Sequence, residues 1–333
     1  MKRRDVLKVS AAALAAPLLS PLLSWRAALA QSKYPERPIR LLVPFPPGGV
    51  NDAIGRAWAD KVRPLLGNVL VENQGGAGGA LGTAAVARAP ADGHTILLGS
   101  SGVMSIHPVA TSRPTYDPVR DFAPIAILAI TPLCVAVHPS VPVRSLREFI
   151  DYAKANPGKL SYGTAGIGTV THVGGELFKS LTGRGDIVHV PYKGAGPALA
   201  DLMGGQIPLA FPNLTAQVLS LHRSGKLRLL AVTTARRNGA APDIPTAEEA
   251  GLNDMIAQTL LALYVPARTP QAIVEQIAQA AHKVAADPEY VKQLNASGAE
   301  PFPDSTPEKA RQGLAEEIAR YTPVIKSIGL TLD

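Results

Sequence analysis

The chain has a single cysteine, Cys134, in 333 residues. No internal disulfide can form, and this cysteine lies too deep to be the lipid-anchor residue that directly follows some export signals. Beyond the first thirty residues there is no apolar run of the ~18 or more residues that a membrane-spanning helix requires. Aromatic residues make up only 5% of the chain, and no basic cluster is interleaved with them, so no nucleic-acid partner is expected. The seven histidines show no HExxH or other ligand spacing, so neither a metal nor a cofactor is expected. A nucleophile elbow is missing too. GxSxG fails at Ser101, which has Val103 two residues on, and at Ser100, which has no glycine two residues before it.

The formal charge of +7 is misleading. The chain carries 33 Lys+Arg and 26 Asp+Glu, but residues 1–30 hold five of the former and one of the latter, leaving 28 against 25. Those thirty residues read as an export signal: Lys2-Arg3-Arg4 and Lys8, a mildly apolar run from Val9 to Ser24, and the small residues Ala28-Leu29-Ala30 that a signal peptidase accepts. The arginine pair followed by Val6-Leu7-Lys8 is twin-arginine-like. Cleavage is expected after Ala30, giving a soluble periplasmic protein of net charge about +3. Some 300 residues remain, enough for two α/β lobes.

Two stretches stand out. Leu41 to Asp52, LLVPFPPGGVND, runs from an apolar strand through Pro46-Pro47-Gly48-Gly49 into residues at helical spacing, namely Ile54, Trp58, Val62 and Leu65. About 120 residues later the plan recurs. Leu160-Ser161-Tyr162 is a strand, Gly163-Thr164-Ala165-Gly166-Ile167-Gly168-Thr169 a loop, and Val173, Leu177, Phe178 and Leu181 mark a helix. The first turn of a helix has unpaired N–H groups and a partial positive charge, so each junction is a socket for a small anion. The first loop has neither the lysine of a phosphate loop nor a GxGxxG fingerprint, which favours a carboxylate over a phosphate. Two sockets on separate lobes, facing across a cleft, would clamp one ligand.

The motifs YPERPIRLLVPFPPGGVND, GAGGALG, ADGHTILLGS, YDPVRDFAPI, KLSYGTAGIGTVTHVGGELF, HVPYKGAGPALADLMGGQI, GKLRLLAVTTARR and IPTAEEAGL lie between Tyr34 and Leu252. With them the chain resembles, from Tyr34 to Leu332, the substrate-binding proteins of tripartite tricarboxylate transporters, the periplasmic family first named for Bordetella uptake genes. The resemblance implies an α/β fold of the type II periplasmic binding-protein class, two lobes with a ligand cleft between them. It also implies a small carboxylate ligand, no enzyme activity, and the membrane permease of a tripartite transporter as partner. Carried onto this chain, the ligand-binding positions are Phe45, Gly48, Gly49, Asp52 and Ser101 on one side and Thr164, Ala165, Gly168, Thr169 and His172 on the other. Asn213, after Phe211-Pro212, is a further candidate where the chain returns toward the cleft. Lys193 reads as a solvated loop lysine.

The chain departs from the family's pattern at Leu260-Leu261-Ala262, at Arg268 and at Gln74-Gly75, changes expected to alter one wall of the cleft. Expected boundaries are 34–130 with 250–333 for lobe one and 131–249 for lobe two, in a monomer. The stretch Ile125 to His138 reads as one long strand interrupted by Pro132, Thr246 to Glu249 as the cap of a short helix, and Pro323 as a local bend or break in the last helix. Two other functions remain open at this point, a ligand sensor for a signalling partner and a secreted hydrolase.

Overall fold

The computed structural model describes residues 34–332, so the export segment and the cut after Ala30 lie outside the described residues. The apolar residues before the first glycine loop form β1 (Ile39–Val43), and the loop leads into α1 (Val50–Leu66). The buried face of α1 carries Ile54, Trp58 and Val62, and Gly67 at φ 66 ends it, a conformation glycine adopts without penalty. There follow β2 (Val69–Asn73), a 3-10 turn at Ala77–Gly79, α2 (Ala80–Ala87), β3 (Thr95–Ser100), a π-helical turn at Gly102–Ile106, α3 (His107–Ala110) and β4 (Phe122–Pro132). These strands, with β10 and β11 below, build a six-stranded sheet.

The second sheet is assembled from the middle of the chain. Its elements are β5 (Cys134–Val137), α4 (Leu146–Ala155), β6 (Ser161–Thr164), α5 (Val170–Thr182), β7 (Val188–Pro191), α6 (Ala195–Met203), β8 (Leu209–Ala210), α7 (Ala216–Arg223) and β9 (Arg228–Val232). The chain then returns through β10 (Gln258–Pro266), α8 (Gln271–Ala285), α9 (Pro288–Ala296), β11 (Glu300–Pro301) and α10 (Pro307–Ser327). The sheet orders are β11-β4-β10-β3-β1-β2 and β7-β6-β8-β5-β9. β1 pairs parallel with β2 and β3, whereas β10 runs antiparallel between β3 and β4. In both sheets the glycine loop leaves the carboxyl end of a strand with parallel neighbours, which is where ligands collect in open α/β sheets.

The stretch read as one interrupted strand is two strands in different sheets. Pro132 lacks the N–H that would continue the ladder. Leu133 instead donates to Ala257 O (3.1 Å), while Leu133 O accepts from the N–H of Thr233 (3.0 Å). These three residues, joined by Thr233 Oγ1, are where the chain passes between the sheets. Two local expectations change for equally local reasons. The capping box at Thr246 forms, with Glu249 N–H on Thr246 Oγ1 (3.0 Å) and Thr246 N–H on Glu249 Oε2 (2.8 Å), but Gly251 ends it within a turn and no helix follows. α10 continues unbroken through Pro323, its last turns anchored by the buried residues Tyr321, Val324 and Ile325.

Candidate functional site

The two glycine loops are built alike. Gly48 has φ +88° and Gly168 φ +75°, and each donates its N–H to a side chain four residues on. Gly48 reaches Asp52 Oδ2 (2.9 Å) and Gly168 reaches His172 Nδ1 (3.3 Å). Between them lie an N-cap (Gly49 or Thr169), a valine that opens the helix (Val50 or Val170) and a polar residue (Asn51 or Thr171). Positive φ lets the glycine turn its amide back over the first helical turn, where an acceptor at the third helical position can meet it. The sequence reading assigned both glycine amides to a ligand, and the structure gives both an internal acceptor.

Asp52 is a strut of the first loop. Besides Gly48 it meets Arg56 (Nε 3.1 Å, Nη2 2.9 Å) and Asn73 Nδ2 (3.0 Å), and Asn73 also holds Phe45 O (3.0 Å). Burial alone would push its carboxyl up, but the Arg56 guanidinium, the Gly48 amide and Asn73 outweigh burial and hold it below the usual range. A cation therefore stands under a loop that contains none, neutralised by Asp52. Phe45 packs against the 3-10 turn Ala77–Gly79, its ring 3.2 Å from where a β-carbon on Gly79 would sit. Gly49 caps α1 without a side-chain acceptor, which leaves the first-turn amides to other partners. Asn51 was not singled out from sequence. Its Nδ2 is buried in that first turn with no hydrogen-bond partner, and its place in GGVND was the signal available.

The second loop is tied more tightly. Ala165 N–H donates to Thr171 Oγ1 (3.0 Å), Gly166 N–H to Thr164 Oγ1 (3.2 Å) and Thr169 Oγ1 to Gly166 O (2.7 Å). Thr169 caps α5 by accepting from His172 N–H (3.3 Å). Thr164 Oγ1 is 2.8 Å from His189 Nε2, and the rings of His189 and His172 stack 4.1 Å apart. Burial lowers the pKa of both rings. For His189 it reaches about 4, with His172 and Lys179 adding to burial and Glu176 opposing it.

The sign of this shift predicts an acid response. A histidine whose folded pKa is depressed contributes stability above its ordinary 6.5 and loses it as pH falls through that value toward about 4. The contribution of His189 to stability is therefore expected to fall across that window, and its ring signals in NMR to titrate near the lower end. A His189 midpoint near 6.5 would contradict the stacked, buried pair.

Ser101 has its hydroxyl taken up inside the protein. It is 1% exposed, accepts from Leu260 N–H (2.8 Å) and donates to Glu317 Oε1 (2.7 Å), so it supports β10 from beneath. Glu317, on α10, also accepts from Ser105 Oγ (3.1 Å). Asn213 is half-buried where the chain passes between the sheets, bridged to Leu133, its Oδ1 accepting from Thr259 Oγ1 (3.1 Å). The Leu260-Leu261-Ala262 departure is buried inside β10, where Leu260 and Ala262 join the core of the first sheet, and Arg268 is exposed in the turn beyond it. Only Gln74-Gly75 touches a site loop, with Gly75 against Pro46. Lys193 is exposed.

Two α/β lobes, with matching helix-start loops and strands crossing between them, define a two-lobed solute-binding protein of the periplasmic binding-protein class. The chain belongs to the tripartite tricarboxylate transporter receptor family, whose model matches residues 54–330. Protein BugT of Bordetella pertussis is 36% identical over 305 residues, covering 90% of this chain and 91% of that one. The structure of the periplasmic binding protein BugD is 33% identical with a TM-score of 0.77, covering 90% of this chain and 99% of that one. An R. palustris protein solved with adipate is also 33% identical, with a TM-score of 0.80 and the same coverage.

Proposed function

We propose that this chain is an exported receptor that closes two lobes on a small carboxylate and delivers it, as a monomer, to the membrane permease of a tripartite transporter. The observation that carries this reading is the repeated loop at the starts of α1 and α5, two helix N-termini with a left-handed glycine before each. Helix starts attract anions, and neither Phe45 to Asp52 nor Gly163 to His172 contains lysine or arginine that would favour a phosphate. A family relative was solved with adipate, a dicarboxylate, which suits two sockets facing one ligand. Residues 1–30 would direct export, with the cut after Ala30. The proposed lobe boundaries are 34–130 with 250–333, and 131–249.

With Gly48, Ala165 and Gly168 amides held internally, the donors for the ligand would be the remaining first-turn N–H groups, Asn51, the hydroxyls of the second loop and bridging water. Phe45, Gly49, Thr164, Thr169 and His172 Nε2 would line the contact. A hydrolase is disfavoured because Ser101 is buried and already hydrogen-bonded to Leu260 and Glu317.

A site of this kind prefers an anion to its neutral amide. Losing one charge-assisted hydrogen bond costs roughly 1.5–3 kcal/mol, so an amide should bind about tenfold or more weakly than the acid. A thermal-shift screen of small mono- and dicarboxylates, adipate included, followed by calorimetry against the matching amides, tests this. Ligand at 100 times its Kd should stabilise the fold by about 2.7 kcal/mol. A ligand whose amide binds as tightly as its acid would rule out the carboxylate sockets.

A further inference from the structure

The stretch after α10 reaches into the second loop. The last turns of α10 bury Tyr321, Val324 and Ile325 in the apolar cluster that also holds Val170 and Val173 of α5, and Leu330 and Leu332 pack against it. The N–H of Leu332 donates to Ala110 O at the end of α3 (2.8 Å). Its side chain meets Gly168, since a β-carbon there would lie 2.7 and 2.8 Å from the two δ-carbons of Leu332. One residue therefore contacts the segment after β3 through its backbone and the left-handed turn of the second loop through its side chain.

We propose that Leu332 is a positioning residue of the ligand site, holding the Gly168 turn over the start of α5 and linking that turn to Ala110. The proposal rests on the carboxylate-receptor reading above. Its physical basis is the thinness of apolar support at this turn. Ile167 beside it is 57% exposed, and the loop's own bonds run between its hydroxyls, amides and His172. Removing the isobutyl group leaves the outer face of Gly168 open, and glycine then samples other backbone conformations readily. A ligand that needs one of them binds more weakly by the fraction of molecules in that conformation, so a fall to about one tenth weakens binding about tenfold.

The test uses full-length protein with Leu332→Ala and Leu332→Met, calorimetry with adipate and the other small carboxylates, and hydrogen exchange at residues 165–169, with 48–52 as internal reference. Leu332→Ala should weaken binding about tenfold and speed exchange at 165–169 while leaving 48–52 unchanged. Leu332→Met, which keeps the apolar reach, should restore both. Unchanged exchange at 165–169 in the alanine variant overturns the proposal, as does faster exchange at both loops without rescue by methionine, which would make Leu332 an ordinary core residue. If wild type binds no carboxylate, the receptor reading fails, and the exchange comparison still decides whether Leu332 holds the turn.

Discussion

Valine at Gly168 is expected to remove measurable carboxylate binding, and valine at Gly48 to weaken it by only about tenfold. Both glycines have positive φ, +75° and +88°, where a residue with a β-carbon is strained by roughly 1–2 kcal/mol. That strain alone corresponds to about a tenfold loss if it moves the loop out of its binding conformation. Beyond Gly48 there is open space, with nothing within 4 Å of a new β-carbon, so strain is the whole effect. At Gly168 the β-carbon also collides with Leu332, and a branched side chain would push that residue away from Ala110. The combined loss should exceed a hundredfold, read by calorimetry with each folded variant. Because the two residues touch, a Gly168→Ala and Leu332→Ala pair should be non-additive, the double variant losing less than the two single losses together. Equal damage from both valines would show that the Leu332 contact is unimportant.

Glu317→Gln is expected to change how stability depends on pH by roughly 3 kcal/mol. The carboxyl is 2% exposed, and burial pushes it up to about 7 against the opposing pull of Ser101, Ser105 and Arg320. A carboxyl whose folded pKa is raised above its ordinary 4.5 takes up a proton on folding between those values. Its favourable contribution is complete below 4.5 and is lost as pH rises through about 7. Each unit of such a shift is worth about 1.4 kcal/mol. Glutamine keeps an acceptor for Ser101 and nearly the same volume, and the Ser105 hydroxyl can rotate to accept from its amide. The variant should match wild type near pH 4.5 and exceed it at pH 8 in urea unfolding. The same difference at both pH values would mean that Glu317 is ionised throughout. This slope runs opposite to that of His189, and because the two windows overlap the two contributions offset each other in the wild type between pH 4.5 and 6.5.

Much of the local architecture was legible in the chain. Pro46-Pro47-Gly48-Gly49 and Gly163 to Thr169 stop strands and start helices because glycine and proline set backbone angles without help from distant residues. Ser145 caps α4 by accepting from Glu148 N–H (3.2 Å), a bond that spans only three residues and so depends on local sequence alone. The same locality explains the misreadings. The apolar residues from 125 to 138 have one character throughout, and only the partner of Leu133, Ala257, shows that the chain changes sheets there.

The sequence by itself determined the two helix-start loops and the absence of basic residues within them, since each follows from residue type over a few positions. The tertiary structure alone decided which polar atoms of those loops are occupied. Arg56 and Asn73 converge on Asp52, Glu317 takes the hydroxyl of Ser101 from 216 residues away, and Leu332 covers Gly168. Buried polar groups and tight turns take whatever partners the packed chain brings within hydrogen-bond or van der Waals range, and that pairing depends on the meeting of segments far apart in sequence.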